Sequence, residues 1–353
     1  MKRLFILILA ALQLCACRSE NDNPVPMPLP EEQDNNTYAK GADISWLTEM
    51  ESWGCKFYND AGDERECTSL FKEIGFDAVR YRVWVNPTGG WCNKEDVLNK
   101  ARRAQALGMR ILIDFHYSDW WADPQKQNIP AAWKNYNLEQ MAKAVSDYTT
   151  EVLRYLKDNG IDVTWVQVGN ETRTGMLWPV GKLTDSDPYS FCTLFNAGYD
   201  AVKLIYPDAV VIMHNDNGWD VAINNWYWAL VSKGGAKYDM IGLSLYPSYW
   251  DDATKSYPDW TAKCRQFLSN ISLCHANYGK PVMLVEFGMP VSQPDKAESA
   301  LQYLIDGTSP YNWFKGIFLW EPESESRLNH YDYGAFAGGK PTIALNPFKK
   351  QIR

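Results

Sequence analysis

The chain has 353 residues with a formal net charge of −8, and 46% of its residues are hydrophobic. The acidic balance, without a long run of Lys or Arg, excludes nucleic acid as a partner, because contacts with a phosphate backbone require clustered cations. Sixteen Trp and twenty Tyr are unusually many. Since aromatic rings stack on the apolar faces of sugars, the composition favours a carbohydrate ligand.

The start of the chain is typical of an export signal followed by a tether. Two basic residues precede the run LFILILAALQL, which is too short for a membrane-spanning helix and suits a signal peptide. The next letters, LCAC, resemble the lipobox of bacterial lipoproteins, where cleavage precedes a cysteine that carries lipid. We expect residues 1–16 to be removed, Cys17 to be lipidated and the polar, Pro-rich residues 17–37 to form an extended tether. The alternative is an ordinary signal peptide that is cut at a nearby small residue.

The same segment predicts a location. Acidic residues soon after Cys17 resemble the signals that direct lipoproteins to the outer face of Gram-negative cells. We therefore expect an exported lipoprotein of the outer membrane, on the cell surface rather than in the periplasm, where its lipid anchor holds it to the membrane.

The cysteines suit an oxidising compartment. Of eight, one lies in the predicted signal peptide and one is Cys17, which leaves six. Cys55 and Cys67 flank a polar loop and are candidates for a local disulfide. Cys264 and Cys274 lie in one predicted helix, where their spacing corresponds to about 15 Å, beyond the ~7 Å limit for a bridge. The absence of a C-x-x-C spacing argues against a thiolate metal site.

Residues 38–353 are predicted to form one α/β domain, since this length suits a large barrel. Amphipathic segments such as 94–108, 137–160 and 190–207 alternate with short apolar runs. The eight runs are YAKGADISWL, DAVRYRVWV, MRILIDFH, VTWVQVGNE, AVVIMH, MIGLSLY, PVMLVEFG and GIFLWE. Eight βα units without a G-x-G-x-x-G motif after the first strand indicate a (β/α)8 TIM barrel rather than a doubly wound sheet.

Candidate functional residues end the predicted strands. The active site of such a barrel lies at the C-terminal ends of its strands, where the loops of several units meet above a packed core. The residues at these ends are Asp43, Arg80, Arg82, His116, Asn170, Glu171, His214, Tyr246, Glu286, Trp320 and Glu321. Nearly every strand therefore ends in a side chain that a catalytic site can use.

Two carboxylates are the most informative of these residues. Glu171 ends the fourth run and Glu286 the seventh, and strands three apart in a ring of eight face each other across the barrel mouth. Glycoside hydrolysis requires such a pair, one carboxyl protonated to assist the leaving oxygen and one ionised to attack or to activate water. The alternative for either residue alone is a cap or a salt bridge at the start of a loop.

The other strand-end residues have less specific patterns. Arg80 and Arg82 share one face by the two-residue strand period, so one of them can hold a carboxylate ionised. His116 and His214 lie on different strands without H-x-x-x-H spacing, which favours hydrogen bonding over metal binding. Trp320, at the end of the last strand, is expected to be a sugar platform rather than rim core.

Four segments resemble a known family. They are KGADISWL (40–47), VRYRVWVNP (79–87), DFHYSDWWADPQKQNIPAAW (114–133) and VQVGNETRTGMLWPVG (166–181). In these segments, and over essentially the whole domain, the chain resembles glycoside hydrolase family 53, the endo-β-1,4-galactanases. The resemblance implies a retaining enzyme that cleaves internal β-1,4-galactosidic bonds of galactan or type I arabinogalactan, which are pectin side chains, by double displacement.

The resemblance also implies roles for individual residues. Glu171 matches the acid/base, Glu286 the nucleophile and Tyr246 the residue that holds Glu286. Asn170 matches the residue that hydrogen-bonds the 2-hydroxyl of the sugar at the cleaved bond. The residues that match the lining of the subsite just before that bond are Arg80, His116, His214 and Trp320. We also expect substrate contacts from Asp43, Arg82 and Trp120; for Trp120 and the adjacent Trp121, packing at the barrel rim is the alternative.

Two stretches depart from the family pattern. VEFGMP (285–290) stands where the family has an aromatic Tyr-Pro soon after the nucleophile, so this wall of the cleft is altered. The segment MPVSQPDKAESALQ is short and lacks the alternating Asp and Asn ligands of a calcium loop. We therefore expect no metal and no cofactor.

Two other functions stay open at this point. An endo-hydrolase of another β-1,4-linked plant glycan, mannan or xylan, would share the catalytic machinery and differ in its loops. A non-catalytic surface lipoprotein that binds glycans would explain the tether and the aromatic residues, but not two strand-end carboxylates. The expected partners are a polysaccharide and a membrane reached through the lipid anchor, with no nucleic acid, and the protein is expected to be a monomer.

Overall fold

Eight parallel strands close into a barrel in the computed structural model, which describes residues 37–324 and 326–352. The strands are β1 (Ala39–Asp43), β2 (Ala78–Val83), β3 (Arg110–Phe115), β4 (Trp165–Val168), β5 (Val210–Asn215), β6 (Met240–Leu245), β7 (Val282–Phe287) and β8 (Phe314–Trp320). Each strand pairs with its neighbour in sequence, and β1 closes the ring by pairing with both β2 and β8. The predicted (β/α)8 barrel is confirmed.

Helices alternate with the strands and surround them. In the described part of the chain they are α1 (Leu47–Ser52), α2 (Cys67–Ile74), α3 (Lys94–Ala106), α4 (Leu138–Asp158), α5 (Tyr189–Ile205), α6 (Val221–Lys233), α7 (Trp260–Tyr278), α8 (Pro294–Thr308) and α9 (Ser326–Asn329). After β8, a 3-10 helix, Ile343–Lys349, packs against α8 and α2 and completes the outer ring. No helix within the described ranges has the length and apolar character needed to cross a membrane.

Local sequence signals explain where the helices begin and end. The Asn137 side chain accepts a hydrogen bond from the Gln140 amide, and the Gln140 side chain accepts one from the Asn137 amide, so α4 starts with a capping box. Such a cap contributes about 1 kcal/mol. Helix α2 ends at Gly75, whose φ of 114° is accessible to glycine at low cost.

The barrel interior has two layers of different chemistry. The lower layer is apolar and consists of Ala39, Ala78, Leu112, Trp165, Ile212, Met240, Met283, Val285 and Phe318. Further along the same strands the interior becomes polar, with Asp43, Arg80, Asp114, Gln167, His214, Ser244 and Glu286, all buried. Since buried charges are costly unless they are paired, this upper layer requires a dense set of mutual contacts.

Two expectations about the cysteines have different outcomes. Cys264 and Cys274 both lie in α7 and are free thiols, as expected. The candidate disulfide between Cys55 and Cys67 is wrong, because Cys67 carries a free thiol. Its side chain is buried in the apolar core at the first turn of α2, where it packs as a small hydrophobic group. The predicted signal peptide, the lipidation site Cys17 and the tether up to residue 36 lie outside the described residues.

Candidate active site

A sharp turn after β4 presents Glu171 at the barrel mouth. Glu171 has φ 45° and ψ 58°, a left-handed conformation that costs a non-glycine residue of the order of 1–2 kcal/mol. Contacts with β5 hold this turn: the Glu171 amide donates to Nδ1 of His214 (3.2 Å), and the Thr172 hydroxyl donates to the His214 carbonyl (3.0 Å). Backbone strain of this kind is concentrated at functional positions.

A bulge in β7 aims Glu286 into the same space. Leu243 pairs with Leu284, but the next residue of β6, Ser244, pairs with Glu286, so β7 contains one extra residue at Val285. Because Val285 already points into the barrel, strict alternation would turn Glu286 outward. The bulge reverses this and places the carboxylate beside the residues of the upper layer.

The separation of the two carboxylates is short. One oxygen of Glu171, one oxygen of Glu286 and a ring nitrogen of His214 all lie within 4.8 Å of one another. Retaining glycosidases have carboxyl groups about 5–5.5 Å apart, whereas inverting enzymes need about 6.5–9.5 Å to admit a water. The spacing therefore suits direct attack by one carboxylate on a sugar.

Arg80 forms the centre of the charge network beneath the pair. Its guanidinium contacts Asp43 at 2.7 Å, Asp114 at 2.8 Å and Oε1 of Glu286 at 2.9 Å. The hydroxyl of Tyr246 donates to Oε2 of Glu286 at 3.1 Å. Burial raises the pKa of Glu286 to about 7, and Arg80 opposes that rise. Glu286 is thus the carboxyl that the site equips to carry a negative charge.

Glu171 is equipped to carry the proton. Burial raises the pKa of Glu171 well above the ordinary value, and the charges of Glu286 and Asp216 raise it further. Arg80 pairs with Glu286 and not with Glu171. When two neighbouring carboxyls have environments that separate their pKa values, the one with the higher pKa is the acid and the other the nucleophile.

Asn170 is fixed beside Glu171 by a set of protein contacts. Its Oδ1 accepts hydrogen bonds from Arg80 (2.9 Å) and from the Gln167 amide (3.1 Å). Its Nδ2 donates to the carbonyl of Ala122 (2.9 Å). The amide lies at the edge of the cleft in one orientation, as a residue that positions a sugar hydroxyl requires.

Both histidines are held by hydrogen bonds to other groups of the protein. Nδ1 of His116 accepts hydrogen bonds from the Trp84 indole and the Ala122 amide, both at 3.2 Å, so Nε2 carries the proton and donates to Asp114 at 3.0 Å. Burial and the positive charge of Arg80 lower the pKa of His214 well below its ordinary value, so this ring is neutral. His116 reaches the cleft wall, whereas His214 lies beneath the floor.

A cleft of about 680 Å³ lies above the carboxylates. The predicted residues that line it are His116, Asn170, Glu171, Tyr246, Glu286 and Trp320. Asp43, Arg80, Arg82 and His214 do not line it, because they are buried beneath its floor. In this structure their contacts are with other side chains of the site.

Trp120, predicted to contact the substrate, lies outside the cleft lining. Its side chain is 54% exposed and packs against Trp84 at a centroid distance of 4.9 Å, outside the cleft lining. Trp121 lines the cleft instead, with its indole over the guanidinium of Arg82 at 4.3 Å. The buried cation draws the second indole of the pair inward, since the face of an indole attracts a cation.

Arg82 supports an aromatic platform. Its guanidinium lies 5.1 Å from the Trp46 ring and forms an ion pair with Glu321. Glu321 in turn accepts a hydrogen bond from the Trp46 amide at 3.1 Å. The rings of Trp46, Trp121 and Trp320 lie within 5.3–5.7 Å of one another and form one wall of the cleft. We call these three residues the tryptophan wall.

Trp178, in the loop after Glu171, does not take part in the cleft. Its indole donates to the carbonyl of Thr174 at 2.8 Å, and the ammonium of Lys182 lies 5.0 Å from its ring. Trp178 therefore packs within its own loop and is absent from the cleft lining.

Several site residues were not predicted. Asp114, Gln167 and Ser244 belong to the upper layer, and Trp46, Tyr249 and Tyr331 line the cleft. A signal for the first three existed, because a polar residue inside an apolar strand must find a buried partner. No comparable pattern marked the aromatic residues, which lie in loops.

One group of side chains within the described ranges has the spacing of a cation site, namely Glu171, His214 and Glu286. The guanidinium of Arg80 already lies against Glu286 and repels a second cation there. Both ring nitrogens of His214 are also in hydrogen bonds. The arrangement is therefore better suited to proton transfer than to holding a metal.

Comparison with known proteins agrees with this geometry. The model of glycosyl hydrolase family 53 matches residues 39–314. A probable arabinogalactan endo-β-1,4-galactanase A of Neosartorya fischeri is 35% identical over 268 residues, which are 73% of this chain and 71% of the relative. The arabinogalactan endo-β-1,4-galactanase of Humicola insolens is 33% identical over 306 residues, 80% of this chain and 89% of the relative.

Solved structures give the same result. One of two fungal β-1,4-galactanases superposes with a TM-score of 0.79 at 28% identity, covering 88% of this chain and 98% of that one. The family 53 catalytic domain of Ignisphaera aggregans gives a TM-score of 0.78 at 25% identity, with 92% and 99% covered. The matched range includes Glu171 and Glu286, and the resemblance seen in the sequence is confirmed: the chain belongs to glycosyl hydrolase family 53.

Proposed function

We propose that this protein hydrolyses internal β-1,4-galactosidic bonds of galactan and type I arabinogalactan with retention of configuration. The observation that carries the proposal is the pair of carboxylates, Glu171 and Glu286, within 4.8 Å of each other at the floor of an open cleft. Family membership and the activity named for the relatives indicate that the sugar is galactose in a β-1,4-linked chain.

The first half of the reaction forms a bond to Glu286. Its ionised carboxylate attacks the anomeric carbon while the bond from that carbon to the leaving oxygen breaks, and Glu171 gives its proton to that oxygen. Arg80 and the Tyr246 hydroxyl hold Glu286 in place and favour its charge. The product is a galactosyl ester of inverted anomeric configuration.

The second half releases the sugar. Glu171, now ionised, takes a proton from a water, whose oxygen attacks the anomeric carbon and displaces the carboxylate of Glu286. Glu286 is neutral as an ester, so its charge no longer opposes ionisation of Glu171. Two inversions give net retention and return both carboxyls to their starting states.

Incubation with purified polysaccharides tests the substrate. We expect oligosaccharides from β-1,4-galactan, and their appearance as internal fragments early in the reaction identifies endo cleavage. Products from mannan or xylan but not from galactan would assign the catalytic pair to another β-1,4-linked glycan. Binding of galactan without any product would leave the function of a glycan-binding lipoprotein.

We also propose that the enzyme is a lipoprotein, anchored through Cys17 to the outer membrane and facing the cell exterior. The support is in the sequence: a short apolar run, the letters LCAC and an acidic, Pro-rich segment after Cys17. Cys17→Ala should move the protein from the membrane to the soluble fraction. Unchanged membrane fractionation of this variant would contradict the lipid anchor. If protease added to intact cells does not digest the wild-type protein, the outward orientation would be contradicted.

A further inference from the structure

Ser244 lies between the two catalytic carboxylates. It is the β6 residue that pairs with Glu286 at the β7 bulge, and its side chain is buried in the upper layer of the barrel. Its Oγ is 2.8 Å from Oε1 of Glu171 and 3.5 Å from Oε2 of Glu286. Serine has one hydroxyl proton, so the direction of this hydrogen bond decides which carboxylate it supports.

The neighbouring hydrogen bonds settle that direction. Nδ1 of His214 lies 2.9 Å from the side-chain nitrogen of Gln167, 3.2 Å from the backbone nitrogen of Glu171 and 3.1 Å from Oδ1 of Asn170. That oxygen of Asn170 already accepts hydrogen bonds from Arg80 and Gln167. A backbone N–H only donates, so Nδ1 is the acceptor and the proton of the neutral ring is on Nε2. Nε2 is 2.7 Å from Oγ of Ser244 and donates to it. The hydroxyl proton of Ser244 is then directed to Glu171, the nearer carboxylate.

We propose that Ser244 is a positioning residue that stabilises the ionised form of Glu171 and thereby serves the second half of the reaction, in which Glu171 is a base. The inference rests on the proposed function. A hydrogen bond to a carboxylate is stronger than one to a neutral carboxyl group, so the Ser244 donor favours the charged state. Because it occupies Oε1, it also leaves Oε2 to carry the transferred proton.

This donor has a specific task because the other surroundings of Glu171 oppose its ionisation. The acidic groups that face Glu171 are Glu286 on β7, Asp216 after β5, Asp123 after β3, and Tyr246 and Tyr249 after β6. The other titratable neighbours are the neutral ring of His214 on β5 and Arg173, whose guanidinium pairs with Asp216 at 3.2 Å. Among the described residues, Ser244 is the side chain that hydrogen-bonds the Glu171 carboxylate. That environment suits an acid, whereas water activation requires the same residue to accept a proton.

Ser244→Ala separates the two halves of the reaction. An aryl β-galactobioside with a dinitrophenol leaving group needs no proton from Glu171, so formation of the galactosyl ester stays fast. Breakdown of the ester needs ionised Glu171 and is expected to slow at least about tenfold. We expect a burst of dinitrophenol followed by a slow steady state, and azide, which attacks without a base, should restore turnover and give the β-galactosyl azide.

The pH profile gives a readout that a loss of packing does not reproduce. Without the donor, the pKa of Glu171 in the galactosyl enzyme rises, so the ester is hydrolysed only at higher pH. The acid limb of kcat on the aryl substrate should therefore move up by about one pH unit. Ser244→Thr, which keeps a hydroxyl, should recover much of the wild-type profile.

Ser248→Ala is the matched control, since it removes another buried serine hydroxyl from the same segment, one that donates to the Pro258 carbonyl at 2.6 Å. It should show no burst and no shift of the acid limb. The role of Ser244 would be overturned if a folded Ser244→Ala variant showed no burst and kept the wild-type pH profile of kcat. It would also be overturned if Ser248→Ala showed the same burst and the same shift of the acid limb. Wild-type enzyme that leaves galactan intact would instead refute the proposed function.

Discussion

Arg80 and Arg82 lie two residues apart on the inner face of β2, yet they organise two different regions of the barrel mouth. Three carboxylates lie within 2.9 Å of the guanidinium of Arg80. Arg82 pairs with one carboxylate, that of Glu321, and three indole rings lie within 5.2 Å of its guanidinium. The first region sets the charge of the site, and the second sets the shape of its wall.

The two regions also show that an unusual pKa does not by itself identify a catalytic group. Burial raises the pKa of Glu286 and of Glu321 to about 7 in both cases. Glu286 lines the cleft and faces Glu171, whereas Glu321 is buried and accepts a hydrogen bond from the Trp46 backbone. Position at the cleft, together with an opposing carboxylate, distinguishes Glu286, the proposed nucleophile, from Glu321.

The largest effect is expected where the charge region meets the substrate. Glu171→Gln and Glu286→Gln should each lower the rate of galactan cleavage more than about a thousandfold, because each removes the group that transfers a proton or forms the ester. Binding of galactan should persist in both variants. Reducing-end release and galactan affinity gels measure the two properties. Turnover above about a thousandth of the wild-type rate would reject the assigned roles.

Arg80→Lys tests the charge region one step away from the substrate. Lysine keeps a charge but cannot reach three carboxylates with one ammonium, so kcat/KM should fall about a hundredfold. Weaker support for the ionised form raises the pKa of Glu286, and the acid limb of kcat/KM should therefore move to higher pH. A pH profile of kcat/KM measures this shift. An unchanged acid limb would show that Arg80 does not control the ionisation of Glu286.

The tryptophan wall should affect binding rather than chemistry. Trp121→Ala removes an indole that lines the cleft, and we expect KM for galacto-oligosaccharides to rise about tenfold while kcat changes little. Trp120→Ala removes the adjacent, exposed indole and is the matched control, with both constants within about twofold of wild type. Steady-state kinetics of the two variants compare them. Equal effects of the two substitutions would contradict the conclusion that Trp121 lines the cleft and Trp120 does not.

The smallest effect on catalysis is expected from Glu321→Gln. This substitution matches Glu286→Gln but lies in the other region, so kcat/KM should stay within a few-fold of wild type. Stability should suffer more, by about 3 kcal/mol, because the charge of Arg82 stays buried without its ionic partner. Urea unfolding and kinetics on the same sample measure both. A loss of activity as large as that of Glu286→Gln would abolish the distinction between the regions.

The sequence placed Glu171 and Glu286 at the same mouth of the barrel, because both residues end apolar runs and strand ends converge there. It did not reveal how Glu286 comes to face inward, since the letters VMLVEF carry no mark of the bulge at Val285. That bulge arises from the register between β6 and β7, a pairing of segments distant in the chain.

Other parts of the site depended on contacts between strands in the same way. Asp114 and Gln167 were polar letters inside apolar runs, and only the assembled barrel places both against Arg80. The adjacent indoles of Trp120 and Trp121 were equivalent in the sequence. In the structure the Trp121 ring lies against the guanidinium of Arg82, whereas the Trp120 ring packs against Trp84. This difference depends on how the loop after β3 folds over β2.

The central claim is that Glu171 and Glu286 work as a closely spaced pair in a double displacement on galactan. Proton NMR of the anomeric signals during the first minutes of galactan hydrolysis tests it most directly. We predict that newly released reducing ends appear first in the β configuration and then equilibrate with the α form. Initial release of the α anomer would show a single inversion, and would contradict direct attack by Glu286.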